Sequence, residues 1–292
     1  MRIFNNIQSI TAHSRNTVKR YIKLKKRKLL KTNSMPFLQL HITDHCNLNC
    51  KGCAHFSPIA EERFIDLDDM ELMYKQLLPF LENQFSRFEL MGGEPLLHPQ
   101  IEEIIIRTRK YFPNIEIRLV TNGIKLFSMK KRFFQICSKY NIIIYISKYP
   151  INLDYDLLIK KLDNYHVKYN FYGNYNDYKM FIEYKLNPEG IYNARHNYMN
   201  CKLGGRCLQL KDNRIYPCFV SAYAKHLNHY FNMNFEWKEE DYLSLDSTLT
   251  KEKISHFINE PVPFCRYCSI EKQFLTKWEV SERSKKEWID LD

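Results

Sequence analysis

Over residues 37–171 short runs rich in branched and aromatic residues alternate with longer amphipathic stretches, and this alternation limits what the chain can become more than its composition does. Residues 37–42, Phe-Leu-Gln-Leu-His-Ile, alternate apolar and polar positions as a strand does. Residues 68–82 read as a helix opened by Asp66 or Asp68, with Leu72, Met73, Leu77, Leu78 and Leu81 on its apolar side. Strands then follow over 85–91, 115–121, 142–146 and 167–171, and helices over 98–111, 130–139 and 155–162. Repeated strand-helix units build a parallel sheet with helices on its outer face, so the expected class is α/β. In such sheets active residues come from the C-terminal ends of strands. Cys46, Gly92, Thr121-Asn122-Gly123 and Ser147 all fall at such ends, so four separate segments converge on one rim.

The first of those ends carries Cys46, Cys50 and Cys53 in a C-x3-C-x2-C spacing. Three thiolates this close can hold three irons of a 4Fe-4S cube and leave the fourth iron open, whereas ordinary electron-transfer clusters have four protein ligands. Structural zinc or a group of buried thiols is the plainer alternative. One helix and one strand later comes Met91-Gly92-Gly93-Glu94-Pro95, whose glycines let backbone approach a ligand closely.

The triplet and the Gly-Gly-Glu-Pro segment together resemble the radical S-adenosylmethionine (radical SAM) superfamily. The resemblance implies a partial (β/α)6 TIM-like barrel in which the SAM amine and carboxylate chelate the open iron. A reduced cluster then yields methionine and a 5'-deoxyadenosyl radical that takes hydrogen from a substrate. It also implies that Gly92, Gly93, Glu94 and Pro95 hold the SAM amino group, and that Thr121, Asn122 and Ser147 lie near its methionyl and ribose parts. Asn122-Gly123 would serve equally as a turn ending the strand. The residue before the third cysteine is usually an aromatic packed on adenine, but here it is Gly52, so that contact is expected from Phe56 or His55.

After an irregular connection over 173–200, a second cysteine group begins. Cys201-Lys202-Leu203-Gly204, a hairpin over 208–216 and Tyr216-Pro217-Cys218 resemble the opening of SPASM and Twitch auxiliary-cluster domains. Asn213 stands where that motif has Gly, and Asn is the best substitute in the left-handed conformation. With Cys265-Arg266-Tyr267-Cys268, the resemblance implies that Cys201, Cys218, Cys265 and Cys268 hold an auxiliary 4Fe-4S cluster in the single-cluster Twitch manner. Cys207 competes with Cys201 for the first place, and zinc is the alternative occupant. The resulting division is a basic arm (1–35), a radical SAM core (36–172), the connection (173–200) and a Twitch-like α+β auxiliary domain ending in a C-terminal helix (201–292). Nine cysteines without a secretion signal argue against disulfides, and Cys137 reads as a core residue.

A fully ligated second cluster implies an electron acceptor. The arrangement resembles the Twitch-type dehydrogenase that oxidises a secondary alcohol of 2-deoxy-scyllo-inosamine, and residues 53–58 are similar to radical SAM proteins of polysaccharide gene clusters. The expected activity is therefore an iron-sulfur oxidoreductase acting on a sugar or cyclitol, free or carrier-linked, with flavodoxin or ferredoxin as reductant. A peptide-modifying maturase and a non-enzymatic metal-binding regulator are the alternatives. The base for the hydroxyl proton stays open among Arg195, His196, His55 and several tyrosines.

The net charge of +11 does not imply a nucleic-acid partner, because ten of the 44 Lys and Arg lie within residues 1–31 and none of the 33 Asp and Glu precede Asp44. Val18, Tyr21, Ile22, Leu29 and Leu30 recur there at loosely helical spacing, which suits contact with anionic lipid, or a solvated helix packed outside the fold. A transit peptide is a remoter reading. No stretch approaches the ~18 apolar residues of a spanning helix, so a cytoplasmic protein, peripheral to the membrane at most, is expected.

Overall fold

The computed structural model describes residues 35–81, 84–173, 176–178 and 180–291; the basic arm, residues 1–34, lies outside them. The alternation read from the sequence becomes β1 (Phe37–Thr43), α1 (Leu67–Leu81), β2 (Arg87–Gly92), α2 (Ile101–Tyr111), β3 (Glu116–Thr121), α3 (Lys131–Lys139), β4 (Ile142–Ile146), α4 (Tyr155–Asn164) and β5 (Tyr169–Phe171). These strands lie side by side in the order β5-β4-β3-β2-β1, every neighbour parallel. The mostly parallel α/β class is therefore as expected.

The number of units is not. Among the described residues five strands, not six, make up this series; the next strand, β6 (Phe181–Ile182), leaves the sheet and pairs antiparallel with β10 (Leu275–Thr276). The sheet grows instead at its other edge. β7 (Cys207–Lys211) runs parallel to β1 with Phe37 opposite Cys207 and Leu40 opposite Leu210, and β8 (Arg214–Tyr216) and β9 (Leu243–Ser244) continue antiparallel to give eight strands. Strands β7 to β9 of residues 201–292 are thus part of the same sheet as those of the core.

Side-chain alternation explains how that sheet holds together. Leu38, Leu40, Phe88, Leu90, Ile117, Leu119, Ile144, Leu208 and Leu210 are fully buried and share one core with Met70, Tyr74, Leu77 and Ile104 of the helices. The other face carries a buried polar row across three strands: Gln209 Nε2 donates to Gln39 Oε1 and Gln39 Nε2 to Glu89 Oε2, both at 2.6 Å. Shifting β7 by one residue would turn Gln209 into the leucine core, so the row specifies register as well as stability. The β7–β8 turn has Asp212 and Asn213 at φ 49° and 57°, the left-handed geometry expected where Asn213 replaces glycine.

The remaining helices are α5 (Ala194–Asn200), α6 (Phe219–Tyr223), α7 (Lys225–Phe231) and α8 (Lys251–Asn259). The expected C-terminal helix is absent from the described residues: beyond α8 the chain runs in short 3-10 turns and extended segments. It is anchored instead by Trp288, fully buried, whose Nε1 donates to the Cys53 carbonyl at 2.9 Å. No helix among the described residues is long and apolar enough to cross a membrane.

Candidate active site at the strand ends

A cavity of about 430 Å³ opens at the C-terminal ends of the strands, lined by Cys46, Cys50, Cys53, Gly92, Gly93, Thr121, Asn122 and Ser147 together with an aromatic wall. The cysteine loop leaves β1 and lies directly on the end of β2, where Gly93 N–H donates to the Thr43 carbonyl at 2.9 Å and Glu94 N–H to the His45 carbonyl at 3.1 Å. A Cβ on Gly93 would sit 2.0 Å from the His45 carbonyl oxygen, and one on Gly92 2.1 Å from that of Thr43. The glycine pair is therefore required to seat the cysteine loop, whatever ligand it also approaches.

The sulfurs already receive donors. Leu48 N–H points to Cys46 Sγ at 3.3 Å, and Trp278 Nε1 donates to Cys50 Sγ at 3.1 Å. Burial, with a smaller push from Glu94, holds the Cys46 thiol well above its ordinary range, a cost that a thiolate-bound cation would offset. Three soft sulfur donors, two of them receiving a backbone or indole N–H, fit an iron-sulfur cluster. Among the described residues no three His, Cys, Asp or Glu side chains converge as ligands of one metal ion.

Glu94 and Phe56 sit elsewhere than their expected roles require. Glu94 has no exposed surface and does not line the cavity; its carboxylate accepts from Thr121 Oγ1 at 2.6 Å, Asn122 N–H at 2.9 Å and Leu96 N–H at 3.1 Å. It ties the end of β2 to the end of β3, and burial outweighs these donors to lift its pKa to about 7. Pro95 is also off the cavity, opening a 3-10 turn. Phe56 is fully buried in the core near Trp288, because the turn at φ 58° rotates it inward, and His55 faces the cavity instead. Asn122 borders the cysteine loop, donating through Nδ2 to Asn47 Oδ1 at 2.8 Å.

Several lining residues escaped the sequence reading. Tyr149 and Tyr172 follow the ends of β4 and β5, where strand-end logic could have found them; Phe181, Tyr184 and Phe219 arrive from segments with no local signal. Behind His55 lies a buried polar group: His41 stacks on Tyr223 at 3.8 Å, and Lys211, whose pKa burial lowers to about 7, approaches Asp44 at 3.7 Å. Arg195 and His196 do not line the cavity; they stand on α5, with His196 beside Glu271.

Cys201, Cys218, Cys265 and Cys268 come together around a second, smaller pocket between α5, α6 and the 3-10 turn Pro263–Tyr267. Cys201 Sγ accepts from Leu203 N–H at 3.3 Å and Gly204 N–H at 3.4 Å, the same kind of contact found at Cys46. Asn197 Nδ2 braces the pair, donating to the Cys265 and Cys268 carbonyls at 2.8 and 2.6 Å. Cys207 is not in this group: it lies on the polar face of β7, donating to Gln39 Oε1 at 2.9 Å. The two pockets are reached from the same segments: Cys201 and Cys218 line the second, while Leu203 and Phe219, two residues and one residue beyond them in sequence, line the first cavity. Tyr184 lines it too, and burial reinforced by the nearby Cys201 and Cys218 sulfurs raises its hydroxyl above the usual range, keeping it a proton donor.

Comparison with known proteins agrees with this geometry. Residues 40–165 match the Radical SAM superfamily. The GTP 3',8-cyclase of Microcystis aeruginosa (strain NIES-843 / IAM M-2473) is 26% identical over 107 residues, 35% of this chain and 32% of that protein. That of Campylobacter fetus subsp. fetus (strain 82-40) is 25% identical over 87 residues, 30% of this chain and 27% of its own. The chain thus spans about a third of the length of these curated relatives. Among solved structures, BtrN in complex with AdoMet and 2-DOIA covers 81% of this chain and 94% of its own at 15% identity, with a TM-score of 0.51, a likeness of fold.

Proposed function

We propose that this chain, whose residues 40–165 match the Radical SAM superfamily, is a SAM-dependent radical oxidoreductase that dehydrogenates an alcohol of a sugar or cyclitol. In this reading Cys46, Cys50 and Cys53 hold a 4Fe-4S cluster, and Gly92, Gly93, Thr121, Asn122 and Ser147 form the wall around SAM. Cys201, Cys218, Cys265 and Cys268 hold a second cluster. The first cluster and SAM would supply a hydrogen-abstracting radical at the carbinol carbon, and the second cluster would supply an acceptor for the electron left as the carbonyl forms. The chain's own part is to orient the alcohol, exclude water and take up the hydroxyl proton, for which His55, a histidine that lines the cavity, is the base in this reading.

The observation that carries this reading is the nearness of the two cysteine groups. Leu203 and Phe219, next to Cys201 and Cys218 in the chain, line the first cavity, and Tyr184 on its wall lies close enough to the Cys201 and Cys218 sulfurs to feel their charge, which suits an acceptor for a substrate electron. The fold likeness to BtrN, whose solved complex contains AdoMet and 2-DOIA, supports the substrate class.

Anaerobic reconstitution tests it. About eight irons per chain, and 5'-deoxyadenosine on reduction with SAM, are expected for two clusters of four. Cys50→Ala should abolish SAM cleavage. Cys265→Ala and Cys201→Ala should each lose about four irons and keep cleavage, while Cys207→Ala should keep all eight. About four irons plus zinc would remove the electron acceptor and with it the dehydrogenase reading. A panel of aminocyclitols, nucleotide sugars and GTP, followed by mass loss of two hydrogens, then identifies the substrate.

A further inference from the structure

We propose that Trp278 is a positioning residue of the first iron-sulfur site, its indole N–H bonding the Cys50 sulfur so as to ease reduction of the cluster held there. The proposal rests on the reading of Cys46, Cys50 and Cys53 as cluster ligands given above, but on different residues, contributed by the far end of the chain.

The segment from Leu275 to Ser281 is a strap laid across the cysteine loop. β10 fastens one end to β6, and beyond it Val280 pairs with Cys50 in an antiparallel bridge. Lys51 N–H donates to the Glu279 carbonyl and Ser281 N–H to that of Asn49, both at 2.9 Å, while Asn49 Nδ2 donates to the Ser281 carbonyl at 3.0 Å. Lys51 and Glu279 add an ion pair on the outer side. Four attachments within a few residues leave the strap little freedom. Trp278 is thereby presented with Nε1 at 3.1 Å from Cys50 Sγ.

The surroundings suit a tuning role. Cys50 is only 5% exposed and packs in a small cluster with Tyr149 and Phe181, against which Trp278 lies; the Tyr149 and Trp278 rings are 6.4 Å apart in an edge contact. With Cys50 so little exposed, a donor aimed at its sulfur acts with little competition from solvent. An N–H aimed at that sulfur favours the more negative, reduced form, and hydrogen bonds to sulfur are among the determinants of cluster potential. The gain is specific to the ring nitrogen, because a phenyl ring could still cover the same edge.

The experiment uses the Cys265→Ala chain, so that only the first site is loaded, with and without Trp278→Phe. Iron content comes first, about four per chain in each, and then the midpoint potential by redox titration followed by electron paramagnetic resonance. Trp278→Phe is expected to move the midpoint negative, the reduced-to-oxidised ratio at the unsubstituted midpoint falling about tenfold, or 59 mV for one electron. An unchanged midpoint at full iron content overturns the proposal. Should Trp278→Phe shed iron, replacement of Trp278 by benzothienylalanine, which keeps the outline and lacks the N–H, decides in the same way. Failure of the Cys265→Ala chain itself to hold iron would strike the cluster reading and this inference with it, whereas an unchanged midpoint at full iron content strikes this inference alone.

Discussion

Glu94 shows how far one buried carboxyl can be from the role its motif implies. Two of its three donors come from the end of β3 and one from the turn after β2, yet burial dominates and raises its pKa from 4.5 to about 7. The folded chain therefore keeps this proton over a range in which the unfolded chain has lost it. The stability due to the group is full below about pH 4.5 and declines as pH rises to about 7, by at most about 3 kcal/mol at 1.36 kcal/mol per pH unit. Glu94→Gln has no such proton, so urea titrations of the apo protein should show wild type losing ground to the variant between those pH values. A difference independent of pH would contradict the assignment. The motif letters were legible in sequence; the burial of Glu94 and the inward turn of Phe56 were not, because both depend on what packs against them from β3 and from Trp288.

At the scale of elements, the contact that matters most is the cysteine loop resting on the glycine pair. Gly93→Ala would force a methyl to within 2.0 Å of the His45 carbonyl, and the neighbour is backbone, which cannot swing aside. We expect a loss of about 3 kcal/mol or more and, if the proposed two clusters are present, loss of iron from the first site while the second stays loaded. Thermal unfolding and iron analysis of the reconstituted variant check both, and wild-type values for each would refute the seating role. Strands β1 to β5 and helices α1 to α4 were readable because their periodicities are local and long enough to register. β6 and β10 were not, since each has two residues and finds its partner across the chain.

For the whole molecule, the decisive fact is that β7 is paired to β1, so the residues that carry the second cysteine group hang from the same sheet as those that carry the first. Unfolding one part would open the polar row through Gln39 and Gln209 and expose the leucines of β1 and β7 in the other. Calorimetry of the apo protein should accordingly show one cooperative transition; two resolved transitions would mean that the parts are independent. By itself the sequence determined the parallel α/β class, the strand ends at which chemistry gathers and the two cysteine groups, because spacing and period are written in neighbouring residues. Only the tertiary structure decided that Cys201 and not Cys207 joins the second group, that residues next to Cys201 and Cys218 line the first cavity, and that Trp278 reaches Cys50. Those outcomes depend on contacts between distant segments, which strand register and packing create and no local pattern records.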